Sequence, residues 1–87
     1  MSDDTLRRLR DEIAERDLTI LSAVNERVRL VGELRRHKDA VGVAFVDPAQ
    51  EELLLKALEQ ANDGPLSRDG VRRLFLEILA LTKRELG

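Results

Sequence analysis

The chain has no cysteine, no tryptophan and no tyrosine, and it carries only two phenylalanines, two prolines and one histidine. Without cysteine there is neither a disulfide framework nor a thiolate metal site. A single histidine, with no cysteine or tyrosine to accompany it, leaves nucleophilic catalysis and multi-histidine metal centres poorly supplied. No glycine-rich phosphate loop is present, and no cofactor is expected. No apolar run approaches the roughly 18 residues of a membrane span. The first residues, Met1-Ser2-Asp3-Asp4, are acidic and lack the apolar core of a secretory signal. A net charge of −2 argues against a general polyanion binder. The expectation is a soluble cytoplasmic protein whose partners include neither nucleic acid nor membrane.

What the chain does have is helix-forming residues. Leu, Ala, Glu and Arg dominate, which suits helices and suits strands poorly. At 87 residues there is room for one domain, taken here as residues 1–87, with a modest core. From Thr5 to about Asp39 there is no proline and one glycine, Gly32. Apolar residues recur at Leu6, Leu9, Ile13, Ile20, Val24, Val31 and Leu34, the spacing of one face of an α-helix. Ser2, Asp3, Asp4 and Thr5 offer N-caps for it. A helix of about 35 residues is roughly 50 Å long. The rest of one small chain cannot cover it, so a second copy is expected.

Residues Ala40 to Val46 read as an extended loop without a partner strand. Asp47-Pro48 then restarts a helix, with Asp as N-cap and Pro at the first position. Gln50 stands where it completes a capping box with Asp47. This second helix is expected to bury Leu53, Leu54, Leu58 and Ala61, and to stop at Asn62-Asp63-Gly64-Pro65. Ser67 caps a third helix with a stripe of Val71, Leu74, Phe75, Ile78, Leu79 and Leu81 or Thr82. The pattern is all-α: three helices, long, short and medium.

Candidate chemistry lies in charges on helical faces. Arg27 falls three residues after Val24 and four before Val31, on the apolar track. Lys38 is 11 residues further on, about three turns, so both cations point the same way about 16 Å apart. An apolar seam does not need a cation, whereas an anionic ligand does. Arg10 lies about 25 Å before Arg27 on the same rigid helix. It can join Arg27 at one small ligand only across an antiparallel partner helix. His37, between Arg36 and Lys38, reads as a solvated helix residue.

Leu9-Arg10-Asp11-Glu12-Ile13, Asn25-Glu26-Arg27, Lys38, Val46-Asp47-Pro48 with Glu51, and the run from Arg73-Leu74-Phe75 to Thr82 together resemble the all-helical class of chorismate mutase. The resemblance covers nearly the whole chain. It implies an intertwined homodimer with two shared sites for a small dicarboxylate substrate. The arginines matching Arg10 of the partner subunit and Arg27 would bind the carboxylates, and the lysine matching Lys38 would donate to the ether oxygen. Asp47 and Glu51 match positions facing the C4 substituent, and Thr82 stands where a serine commonly meets a carboxylate.

Two positions depart from the family pattern: Gln50 replaces an arginine, and Leu86 replaces a glutamine near the ether oxygen. The implied activity is the Claisen rearrangement of chorismate to prephenate. Gln50 leaves open a 4-amino-4-deoxychorismate mutase of antibiotic biosynthesis. An isochorismate pyruvate lyase and a non-catalytic regulatory helical dimer are further alternatives.

Overall fold

The computed structural model describes residues 2–87, with side chains from residue 3 onward. Three helices follow one another: α1 (Ser2–Val41), α2 (Pro48–Ala61) and α3 (Arg68–Leu86). The all-helical expectation holds, and no strand occurs among the described residues. α1 is longer than its apolar stripe implied. It begins at Ser2, so Asp3 and Asp4 occupy its first turn rather than capping it. There they still oppose the positive end of the helix dipole.

α1 ends two residues beyond Asp39, at Val41, because Gly42 adopts φ +75. The Val43 N–H then reaches the Lys38 carbonyl at 2.8 Å and the Gly42 N–H reaches Asp39 at 3.3 Å. This paired closure satisfies carbonyls that the helix end leaves free, and the left-handed residue it needs is one glycine adopts without strain. α2 starts as expected, with the Asp47 side chain accepting the Gln50 N–H at 3.2 Å. Only this half of the capping box is present among the hydrogen bonds of the described residues. The α2–α3 turn is built by Asn62, whose Oδ1 accepts from Gly64 N–H at 3.0 Å and whose Nδ2 donates to the Leu66 carbonyl at 2.7 Å. Ser67 caps α3 through the Gly70 N–H at 2.9 Å.

α3 packs against both α1 and α2. Arg72 reinforces the α2–α3 contact by reaching Glu52 at 2.7 Å and Glu59 at 3.7 Å, about two turns apart on α2. That hydrogen bond holds the Glu52 carboxyl below its ordinary range. Its small contribution is present at neutral pH and fades as acid titrates Glu52 through its lowered pKa.

The core is small. Leu55 and Val71 are its buried apolar side chains at 3% and 4% exposure, with Thr82 beside them at 3%. α2 is turned differently from the sequence expectation. Leu53 is 62% exposed and Ala61 is also exposed, while Leu55 points inward and Leu54 and Leu58 are half-buried. A run of three leucines offers two helical faces of similar hydropathy, and the contact with α3 selects between them. In α3, Val71 and Thr82 are buried and Phe75, Ile78, Leu79 and Leu81 half-buried, whereas Leu74 is 47% exposed.

From Asp3 to Ala23, every side chain of α1 is exposed. Leu6, Leu9, Ile13 and Ile20 of its stripe lie between 44% and 60% exposed. The radius of gyration is 16.9 Å and the longest extent 61 Å, against about 12 Å expected for a compact globule of this length. Leu55→Ala should lower unfolding free energy by about 2–4 kcal/mol, whereas Leu53→Ala should stay within about 0.5 kcal/mol. Urea denaturation at one fixed chain concentration checks both; a larger loss for Leu53→Ala than for Leu55→Ala would show that α2 is turned the other way.

Candidate active site

The second half of α1, the loop after it, the start of α2 and the end of α3 enclose one cavity of about 210 Å³. Each contribution follows from local structure. Arg27 and Lys38 project from α1 on the same face as Val31 and Leu34, because they are separated by about three helical turns. Asp47, Gln50 and Glu51 come from the first turn of α2 and Thr82 and Lys83 from the last turns of α3. Phe45, Val46, Leu54 and Leu79 complete the apolar wall. Six of the seven residues expected from sequence therefore meet: Arg27, Lys38, Asp47, Gln50, Glu51 and Thr82. Arg10 does not. It lies in a separate hollow near the start of α1, with Asp3, Leu6, Arg7 and Asp11.

The polar side chains are held by specific bonds. Thr82 Oγ1 donates to the Ile78 carbonyl at 2.7 Å and accepts from Arg27 Nη1 at 3.4 Å. Its proton is thus committed to the backbone, and its free lone pair aims Arg27. Lys38 Nζ donates to the Phe45 carbonyl at 3.3 Å, which ties the ammonium to the loop that forms one wall. The carboxylate of Asp47 is used as a cap. The carboxylate of Glu51 is paired with Lys83 Nζ at 2.7 Å.

Leu86 is placed away from this cavity. Its Cδ2 lies 3.3 Å from where a Cβ on Gly32 would stand, so it packs α3 closely on α1. Arg35 secures the same end by donating to the Leu86 carbonyl at 2.9 Å, and its guanidinium lies 5.3 Å from the Phe45 ring centre. His37 is exposed, as expected for a solvated position.

Lys83 is the charged cavity residue that sequence reasoning missed. Its signal was its place four residues after Leu79, the i to i+4 spacing that keeps two side chains on one helical face. Nothing in the chain's local pattern says that α2 would bring Glu51 to it.

The cavity thus sets cations from α1 and α3 beside carboxylates from α2, on an apolar lining. That arrangement suits a small anionic ligand held by charge-assisted bonds.

Comparison with known proteins specifies the class. The chain belongs to the type II chorismate mutase family, whose model matches residues 9–85. It is 35% identical over 82 residues to a bifunctional chorismate mutase/prephenate dehydratase of Stutzerimonas stutzeri, and 34% identical over 82 residues to that of Pseudomonas aeruginosa. Each alignment takes in 88% of this chain and 22% of the relative, so the chain spans about a fifth of these bifunctional proteins.

Two structures of the chorismate mutase from Thermus thermophilus superpose closely. Form I gives a TM-score of 0.86 at 35% identity, covering 88% of this chain and 96% of that one. Form II gives 0.88 at 33% identity, covering 93% and 92%.

The Thr82–Arg27 contact yields a direct test. Thr82→Val keeps the shape but removes Arg27's acceptor, and should reduce kcat/KM about tenfold, the scale of one hydrogen bond to a charged group. Thr82→Ser should retain near-parental turnover. Equal activity of the Val variant and the parent would show that the threonine does not aim the arginine.

Proposed function

We propose that the chain is a chorismate mutase acting as a cytoplasmic homodimer, converting chorismate to prephenate at sites shared between subunits. The observation that carries this reading is the convergence of Arg27 and Lys38, 11 positions apart in sequence, on one apolar-walled cavity in a chain of this family. The dimer is supported by the first half of α1, which leaves Leu6, Leu9, Ile13 and Ile20 uncovered. An antiparallel α1 from a second copy would cover that stripe and carry Arg10 of the partner subunit to the cavity.

The chemistry follows from the residues. The rearrangement occurs within one molecule and needs no nucleophile, no proton transfer and no metal. The site would hold the flexible dicarboxylate in a chair-like reactive conformer, which is an orientation effect. Arg27 and Arg10 of the partner subunit would grip the carboxylates. The ether C–O bond breaks ahead of C–C bond formation, so negative charge grows on the ether oxygen. Lys38, already held at the Phe45 carbonyl, would stabilise that charge by roughly 3–4 kcal/mol if it acts as an oxyanion donor does.

Gln50 supports a second reading. It lines the cavity as a neutral side chain where the family pattern has a cation, and a less anionic substrate such as 4-amino-4-deoxychorismate suits that loss.

Incubation of the purified protein with chorismate, its 4-amino analogue and isochorismate, with product identification, separates the possibilities. Prephenate from chorismate is the expected result. Pyruvate released from isochorismate marks a lyase, and no turnover of any of them marks a non-catalytic dimer.

Arg27→Ala and Lys38→Ala should each fold normally and lose at least about a hundredfold in kcat/KM. Undiminished turnover by Lys38→Ala would remove the lysine from its role at the ether oxygen. Light scattering should give the mass of a dimer at micromolar chain concentration.

Mixing inactive Arg10→Ala and Arg27→Ala chains after unfolding and refolding tests the sharing itself. Random pairing makes half the dimers mixed, and each mixed dimer has one intact site, so about a quarter of parental activity should return. No recovery would show that Arg10 does not reach the site from the partner subunit.

A further inference from the structure

Lys83 has no assigned role, yet its ammonium sits 2.7 Å from Glu51 on the wall of the cavity. A plain structural account would make this one more surface ion pair between α2 and α3, of small worth. That task is already served elsewhere: Arg72 bridges Glu52 and Glu59, and none of these three residues lines the cavity. The Lys83–Glu51 pair instead lies where a ligand would meet it, with the side chains 41% and 30% exposed.

Its effect on the cavity's charge is direct. Arg27, Lys38 and Lys83 face Asp47 and Glu51, an excess of one cation. Arg10 of the partner subunit, on the reading proposed above, raises the excess to two. That matches a dianion. Without Lys83 the excess falls by one and the Glu51 carboxylate is left uncompensated beside the ligand, which suits a substrate carrying an ammonium. Of the two carboxylates, Glu51 is the one neutralised by a cation, Lys83, while Asp47 accepts the Gln50 N–H on one oxygen. The cation absent at Gln50 is thus replaced from a different helix.

We infer that Lys83 is a specificity-determining positioning residue. It engages Glu51 and so tunes the cavity for the hydroxyl-bearing dianion, chorismate, over its ammonium-bearing 4-amino counterpart. The inference rests on the chorismate mutase reading and names which substrate of that site is preferred and why. Discrimination of this kind works by denying the competitor an unpaired counter-charge.

The test is the ratio of kcat/KM for chorismate to that for the 4-amino analogue, measured in the full-length dimer alongside thermal unfolding. The parent should favour chorismate. Lys83→Met should move the ratio toward the amino substrate by about tenfold or more, through one released carboxylate at close range, with little change in Tm. Lys83→Arg should keep the parental ratio, because it still engages the carboxylate. Lys83→Met combined with Glu51→Gln should return the ratio toward the parent's, since the charge that Lys83 neutralises is then absent.

A ratio within about twofold of the parent's in Lys83→Met, at measurable turnover, overturns the inference. So does a Lys83→Met/Glu51→Gln chain with the same ratio as Lys83→Met alone. A parent that converts neither substrate overturns the mutase reading itself, and this inference with it.

Discussion

A helix of 40 residues runs for about 60 Å, and the remaining two helices of the chain are too short to shield it. α3 covers the second half of α1, and from Asp3 to Ala23 nothing in the same chain does. The rest of the structure follows from this mismatch. The core holds few buried side chains, Leu55, Val71 and Thr82 among them, because a rod and two struts enclose little volume. A chain of this size with so sparse a core has little margin of stability by itself. Covering the uncovered stripe is where the missing stabilisation would come from, so folding and assembly would be coupled.

The same rod places the chemistry. A straight helix keeps Arg27 and Lys38 at a fixed separation on one face, which a loop could not do without ordering cost. It also keeps Arg10 away from them within a single chain. α3 then serves as the part that aims and balances the cations. Thr82 presents a lone pair to Arg27 while its proton is held by the Ile78 carbonyl, and Lys83 compensates Glu51. Leu86 and Arg35 hold the end of α3 on α1 through the close approach at Gly32. A site that works by orientation depends on such second contacts, since an arginine free to change rotamer grips a carboxylate poorly.

Much of this is legible in the sequence alone. The 3.6-residue period, the Asp47-Pro48 and Ser67 caps and the Asn62-Asp63-Gly64-Pro65 turn are local signals, and local signals act through bonds to the nearest residues. They determined an all-helical chain of three elements, nearly to their ends; α1 runs on to Val41 because Gly42 supplies a left-handed closure. The site cations were legible for a related reason: Arg27 interrupts an apolar track, and helical spacing says that Lys38 shares its face.

What tertiary structure alone decided is how the helices turn against one another. Leu53, Leu54 and Leu55 are chemically alike, and only contact with α3 sends Leu55 inward and Leu53 to solvent. The pairing of Lys83 with Glu51 likewise joins residues far apart in sequence, through the register of two packed helices. Periodicity along one helix states which residues share a face. It carries no information about which face of the next helix will meet them, because that choice is made by summed packing over the whole contact and not by any neighbour in the chain.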